Sequence, residues 1–340
     1  MRPYANSSSL GSAPVFVLGS NGFGGSSFVK SLLEIGMDVY GYSRSPEPDA
    51  RFLPYTWGHN AARFEFVQVD LNHQLDKLLR DVAAIRPRFI VNFAAQSMVG
   101  ESWSNPEDWM RTNVVSLTSL IRGLTEFDFV EKYIHFTTPE VYGSTSGWKK
   151  EGFDFKPSTP YALSRAAGDW VVKLWLDNFG FPAVFTRAAN IYGEGQQLYR
   201  IIPKALLFGM TGKKIPLHGG GGSIRSFIHM DDVSSALIAI LAAGKIGETY
   251  HISPSESISI HDLVIEISSL LGIAPEQMYS IAGDRLGKDQ AYLLDADFIR
   301  QDLGWQCNIS LLDGLGRCKE WVTQNLEYFS TLETNYTHKA

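Results

Sequence analysis

The chain has 340 residues, of which 44% are hydrophobic and 19% charged, and a formal net charge of −6. That balance allows one large domain or two smaller ones with a core that needs no disulfide support, and the scattered Lys and Arg exclude a nucleic-acid surface. The two cysteines, Cys307 and Cys318, give neither a disulfide framework nor a metal site. No apolar run approaches the roughly 18 residues of a membrane helix, so the expected setting is the cytoplasm.

Taken in chain order, MRPYANSSSLGSA reads as a disordered tail over residues 1–13. PVFVLG (14–19) is an apolar run closed by glycine, as a buried parallel strand would be. In the following NGFGGSSFVKSLLEIG, Phe28, Leu32, Leu33 and Ile35 recur at helical spacing. MDVYGYS and FEFVQVD read as strands, LDKLLRDVAAI as a helix, RFIVNFAAQ as a strand, EDWMRTNVVSLTSLIRGLTEF as one long helix and EKYIHFTT as a further strand. A helix over 160–179 leads into the strand-like FPAVFTRAAN. This alternation predicts an α/β fold, a Rossmann-type doubly wound parallel sheet.

Beyond Asn190 the pattern loosens into Gly-rich, basic segments, and HMDDVSSALIAILAAG and ETYHIS restore one helix and one strand. The expected organisation is a dinucleotide-binding domain at 14–187 plus about 231–253. A smaller carboxy-terminal substrate-binding domain takes 188–230 and 254–330, and 331–340 is a tail.

The strand–turn–helix at 15–30 carries GSNGFGG. Gly19 permits a tight turn, Gly22 lets backbone approach a pyrophosphate, and Gly25 allows close helix packing, with Asn21 and Phe23 between them. The first interval is one residue wider than in G-x-G-x-x-G. No acidic side chain ends the second strand, DVYGYSRSP; Arg44 follows it, which favours NADP over NAD. Asp70 and Leu71 close the third strand, where they either meet the adenine edge or, for Asp70, cap the next helix. Ala94 and Ala95 follow the fourth.

STPYALSRAAGDW (158–170) places Arg165 four residues after Tyr161, on the same helix face. Tyrosine ionises near pH 10, so a neighbouring cation is needed for it to work at neutral pH. With NFAAQS (92–97), TTPEVYG (137–143) and GSNGFGG, this helix resembles the extended short-chain dehydrogenase/reductase family, and within it the nucleotide-sugar 4,6-dehydratases. RAANIYGEGQ, RSFIHMDDV and DRLGKDQAYLLD match later landmarks, so the resemblance spans roughly 14–325.

The resemblance implies that Tyr161 carries the proton of a sugar C4 hydroxyl, that Arg165 stands in for the usual lysine at the phenol and the cofactor, and that Thr138 holds the C4 oxygen. Glu140 matches the base that removes the C5 proton, while Pro139 replaces the acid found in many dehydratases. Ser97, Asn190, Arg200, Arg225 and Arg285 fall at substrate positions, with Arg225 the first choice for the diphosphate. AAQS is similar to the GDP-mannose group and DRLGKD to the dTDP-glucose group. The implied partners are NADP or NAD, a nucleotide-diphosphate sugar and a second copy of the chain, paired through helices 107–126 and 160–179; Trp109, Val114, Leu117 and Leu120 form an apolar stripe that either serves this pairing or packs internally. An epimerase or 4-keto-sugar oxidoreductase, and a sensor that holds dinucleotide without chemistry, are the competing readings.

Overall fold

In the computed structural model, which describes residues 10–58, 60–283 and 289–339, the runs VFVL, FIVN and AVFTRA are buried along their whole length. Strands covered on both faces have this composition. They belong to a central sheet of β1 (Val15–Leu18), β2 (Val39–Ser43), β3 (Phe64–Gln68), β4 (Phe89–Asn92), β5 (Lys132–Thr137), β6 (Ala183–Ala188) and β7 (Thr249–Ile252). Every pairing is parallel, and the strand order is β3-β2-β1-β4-β5-β6-β7. The order reverses between β1 and β4, which opens a crevice at their carboxyl ends.

Helices cover both faces. Against one, Phe28 and Leu32 of α1 (Phe23–Glu34) meet Val233, Leu237 and Ile240 of a later helix, Met230–Ala243. Against the other lie Leu78 and Val82 of α2 (Leu75–Ile85) together with Leu120, Ile121 and Val172. A separate core joins Ile202 and Leu206 from the helix Ile201–Met210, Val264 and Ile267 from Ile260–Leu271, and Leu315, Trp321 and Phe329 near the end of the chain.

The expected single helix over 107–126 is instead α3 (Pro106–Met110), a π-helical turn at Arg111–Ser116, and α4 (Leu117–Leu124). A widened turn of this kind marks a functional position more often than a defect. The helix α5 (Pro160–Phe179) crosses directly over it: a Cβ at Gly168 would sit 2.7 Å from the Asn113 carbonyl oxygen. Of the two readings of the apolar stripe, this packing selects the internal one. Trp109, Leu117 and Leu120 are buried within the chain, because α3 and α4 turn their apolar side inward, and Val114 is half-buried. The exposed apolar side chains in this region include Val115, Leu163, Trp170, Leu174 and Phe179.

Both expected tails are shorter or more ordered than composition suggested. Leu10 is buried in the core and its carbonyl accepts a 3.0 Å hydrogen bond from Arg88 Nη1. Residues 331–339 lie back on the molecule, held by the Thr334 and Lys339 carbonyls and by the His338 ring.

Gly168→Ala places a methyl group against an immobile backbone oxygen. It should lower stability by about 1–3 kcal/mol, read as a fall in the denaturant midpoint without a change in slope.

Candidate active site

The turn after β1 requires glycine for two different reasons. Gly19 has φ of +81°, and a Cβ there would lie 2.8 Å from the Ala94 nitrogen; at Gly25 it would lie 2.2 Å from the Gly19 oxygen. Gly22 is the N-cap of α1, and no side chain caps it. The result is a bare backbone cradle at a helix amino terminus, facing the crevice between β1 and β4, and it fits a pyrophosphate. Asn21 acts on the turn itself: its side-chain amide donates to the carbonyls of Ser45 and Pro46, and its backbone N–H to Ser43 Oγ. Phe23 is buried in the core. Leu71 packs into the opposite core and Ala94 beside it. Asp70 Oδ1 accepts from the Asn72 N–H at 2.8 Å, so its side chain shapes the turn after β3.

The chemistry is assembled where β5 ends. Thr138 caps a short helical turn, Pro139–Tyr142, by accepting from the Glu140 N–H at 3.3 Å. Proline suits the first position of such a turn, since its fixed φ matches and no donor is lost. Gly143 ends it at φ +67°, where a Cβ would collide with the Lys156 oxygen at 2.2 Å. Pro139 thus has a structural reason of its own, and the turn it starts holds Glu140 rigidly beside the amino-terminal turn of α5, where Tyr161 stands. Thr138, Tyr161 and Arg165 are all buried.

Electrostatics corrects one expectation. Burial raises the Tyr161 phenol above its ordinary value and the Glu140 charge raises it further; Arg165, Thr138 and Arg200 each pull it down and offset this only in part. Arg165 therefore does not set the phenol by itself. Its guanidinium donates through Nη2 to the Phe136 carbonyl on β5. Burial also lifts Glu140, with Asp289 adding to the rise and Arg225 and Arg200 opposing it, to about 7. A carboxyl held there is matched to proton transfer near neutral pH.

Beneath Arg165 lies a buried polar cluster that the sequence reading missed. Asp169, one turn further along α5, is fully buried and accepts from Arg187 Nη2 at 2.8 Å, with His135 Nε2 3.2 Å from its other oxygen. Burial opposes the charge on Asp169, but Arg187, His135 and Arg165 together hold its pKa below the ordinary value. Arg187 also donates to Tyr142 Oη at 3.1 Å, which is 2.8 Å from His251 Nε2. Tyr142 packs beside the site, as expected, and belongs to this cluster. The i, i+4 spacing of Arg165 and Asp169 was the available signal. Asn113 was missed too. From the π turn it accepts from the Gln96 N–H at 2.9 Å and donates to the Gln96 carbonyl and Ser164 Oγ, fixing the loop after β4.

Of the expected substrate residues, Arg225 donates to the carbonyls of Ile224, Asp289 and Gln290 and stacks over Tyr292 at 4.0 Å. Arg200 precedes the helix Ile201–Met210. Both act on the Glu140 charge, so the second lobe turns cations towards the carboxyl. Asn190 pairs with Tyr292 and lies near this group. Asp289, also missed, accepts from Ser144 and Ser158 hydroxyls at 3.0 and 3.1 Å, and so ties the Glu140 turn to the approach of α5. Ser97 and Ala95 follow β4, Ser97 exposed. Arg285 lies outside the described residues. Among the described residues there is no group of three or more His, Cys, Asp or Glu side chains arranged to hold a metal ion.

A glycine cradle at the β1–β4 switch point and a Tyr-x-x-x-Arg helix facing the end of β5 agree with the comparison to known families. The model of the NAD dependent epimerase/dehydratase family matches residues 15–253. The chain belongs to this family. Among curated members, it is 29% identical over 345 residues to a dTDP-glucose 4,6-dehydratase of Neisseria meningitidis serogroup B, covering 94% of this chain and 95% of that protein. It is 32% identical over 244 residues to an Arabidopsis thaliana trifunctional UDP-glucose 4,6-dehydratase/UDP-4-keto-6-deoxy-D-glucose 3,5-epimerase/UDP-4-keto-L-rhamnose-reductase, covering 71% of this chain. The chain spans only 36% of that longer relative. Among solved structures, DesIV, a dTDP-glucose 4,6-dehydratase from Streptomyces venezuelae with NAD bound, superposes with a TM-score of 0.86 at 30% identity, covering 93% of this chain and 98% of that one. A UDP-glucuronic acid 4-epimerase from Bacillus cereus, also with NAD, gives 0.82 at 25%, covering 92% and 99%.

Two outcomes test these electrostatics. The folded-state value of Glu140 lies above its unfolded value of 4.5, so its contribution to stability is full below pH 4.5 and lost as pH rises through 7. Glu140→Gln should therefore be more stable than the parent at pH 8, by roughly 2 kcal/mol after allowance for its partly open side, and equal at pH 4, as followed by thermal melts. Asp169→Asn leaves Arg187 buried beside a neutral group and should cost about 3–5 kcal/mol, read by denaturant unfolding.

Proposed function

We propose that the protein is a nucleotide-diphosphate-sugar 4,6-dehydratase. The observation that carries this reading is Glu140, a carboxyl raised to about 7 that acts on the charge of Tyr161. The nicotinamide dinucleotide, held by Gly19, Gly22, Gly25 and the loop of Ala94 and Ala95, supplies a hydride acceptor for C4 and a donor for C6. Tyr161 takes the proton from the C4 hydroxyl while Thr138 holds that oxygen; as hydride is returned to C6, C5 gains a proton from solvent and Tyr161 releases its own to solvent, which balances the cycle. The C4 ketone makes the C5 hydrogen acidic. Glu140 removes it and then hands the proton to the C6 hydroxyl, which leaves as water. One group does both tasks because its pKa lies near the working pH, and Pro139 is then no handicap. Arg200 and Arg225 supply positive charge for the diphosphate, with Asn190 beside them.

The finer assignments rest on particular residues. NADP is favoured because β2 ends at Ser43 and Arg44 follows it, with no carboxylate to repel a 2′-phosphate. The dinucleotide-binding domain comprises 14–187 and 231–253, around the sheet, and the substrate domain the remainder to 330, around the second core. A homodimer forms through the exposed Leu163, Trp170 and Leu174 of α5 with Val115, an apolar face in which Trp170 is backed by Phe153 and Phe155. The free thiols Cys307 and Cys318 suit the cytoplasm, and no helix among the described residues is long and apolar enough to cross a membrane.

Incubation with a panel of nucleotide hexoses and either dinucleotide, followed by product mass, tests the reading. Loss of one water is expected; an isomer of unchanged mass would make the protein an epimerase. Glu140→Gln should abolish water loss with dinucleotide still bound, and Tyr161→Phe should lower kcat by at least about 10²-fold. The parent's kcat should rise with pH as Glu140 ionises around 7.

A further inference from the structure

After the helix Leu326–Ser330 the chain turns back over the molecule. From Leu332 to His338 its residues alternate in burial, with Leu332, Thr334, Tyr336 and His338 inward, the period of two expected of an extended segment packed on one face. Its contacts are specific. Leu332 joins the second core. Lys204 Nζ donates to the Thr334 carbonyl at 3.1 Å. The Tyr336 ring meets Tyr199 edge to face at 5.3 Å. His338 stacks on Trp109 at 4.8 Å, and its Nε2 is 2.7 Å from Asp108 Oδ2. Gln96 Nε2 donates to the Lys339 carbonyl at 2.8 Å.

These anchors stand on opposite sides of the cleft. Tyr199 and Lys204 belong to the second lobe, whereas Gln96, Asp108 and Trp109 follow β4 in the first. Gln96 comes directly after Ala94 and Ala95 on the cofactor side. Arg44, at the end of β2, and Arg200 both act on the Tyr336 phenol, lowering its pKa against the burial that raises it. The segment therefore runs in front of the carboxyl ends of β2 and β4, which flank β1, and on this side doubly wound sheets hold their ligands.

We propose that residues 331–339 form a strap that retains the dinucleotide in its cleft from one turnover to the next. The use of such a strap rests on the dehydratase reading: hydride taken from C4 is given back at C6, so the cofactor ends each cycle as it began and has no need to leave. The strap's anchors are side chains outside the catalytic group, and it joins the two lobes over the cleft without a covalent link.

The test measures release of bound NADH or NADPH by the loss of its fluorescence during a chase with excess oxidised dinucleotide. The intact chain is compared with a chain ending at Leu332 and with the double variant Tyr336→Ala/His338→Ala, each first shown to melt cooperatively. Both variants should release the dinucleotide about ten-fold faster. Release that is unchanged overturns the proposal, and slower release shows instead that the segment competes with the cofactor. No sugar enters this assay, so faster release together with no water lost from any nucleotide hexose would sink the dehydratase reading and leave the strap standing.

Discussion

Everything at the site is referred to the seating of α5 on the sheet. Tyr161 and Arg165 stand on its first turns, and two polar contacts pin it to β5 and β6: Arg165 to the Phe136 carbonyl and Asp169 to Arg187. A buried ion pair contributes little net stability against a well-packed apolar alternative, because both charges lose their water. What it adds is position: the Asp169 carboxylate has its low-energy place only beside Arg187 and His135, so a sliding or rotated α5 would strand charges in the core. Gly168 completes the constraint by letting the helix touch the π turn that carries Asn113.

The same burial that fixes the helix also defines the chemistry. Desolvation raises the Tyr161 phenol and the Glu140 carboxyl alike. Cations offset the rise in both, but Arg165 acts from within the first lobe, whereas Arg200 and Arg225 act from the second. Protonation at the site is therefore coupled to how the two lobes sit together. Any anion that binds to Arg200 or Arg225 screens part of their pull and moves Glu140 towards its protonated form. The turn begun by Pro139 keeps Glu140 in place throughout, capped by Thr138 and tied through Asp289 to the start of α5.

Much of this was legible in the chain. The period-two and apolar runs marked the seven strands because a parallel sheet covered on both faces selects for them. The helix over 160–179 fell at its observed bounds, since Thr159 caps it and Gly180 ends it in the left-handed region. The need for glycine at positions 19 and 25 was legible because it is steric and local. Less visible were Asp169, Arg187, His135 and Asn113, whose partners lie on other elements. Whether Trp109, Leu117 and Leu120 face a partner or the core stayed open, because periodicity shows which side of a helix is apolar and not what that side faces. Segment 331–339 looked like a tail because a short polar stretch shows no sign of the rings waiting for Tyr336 and His338.

The sequence by itself determined the seven strands, the glycine turn and the shared helix face of Tyr161 and Arg165, since each depends on backbone sterics or local spacing, while Thr138 and Glu140 were singled out by resemblance to a family. The tertiary structure decided the proton affinities of those residues, the inward facing of α3 and α4, and the path of the last nine described residues. Desolvation and long-range charge are set by neighbours distant in the chain, and only folding brings them within reach.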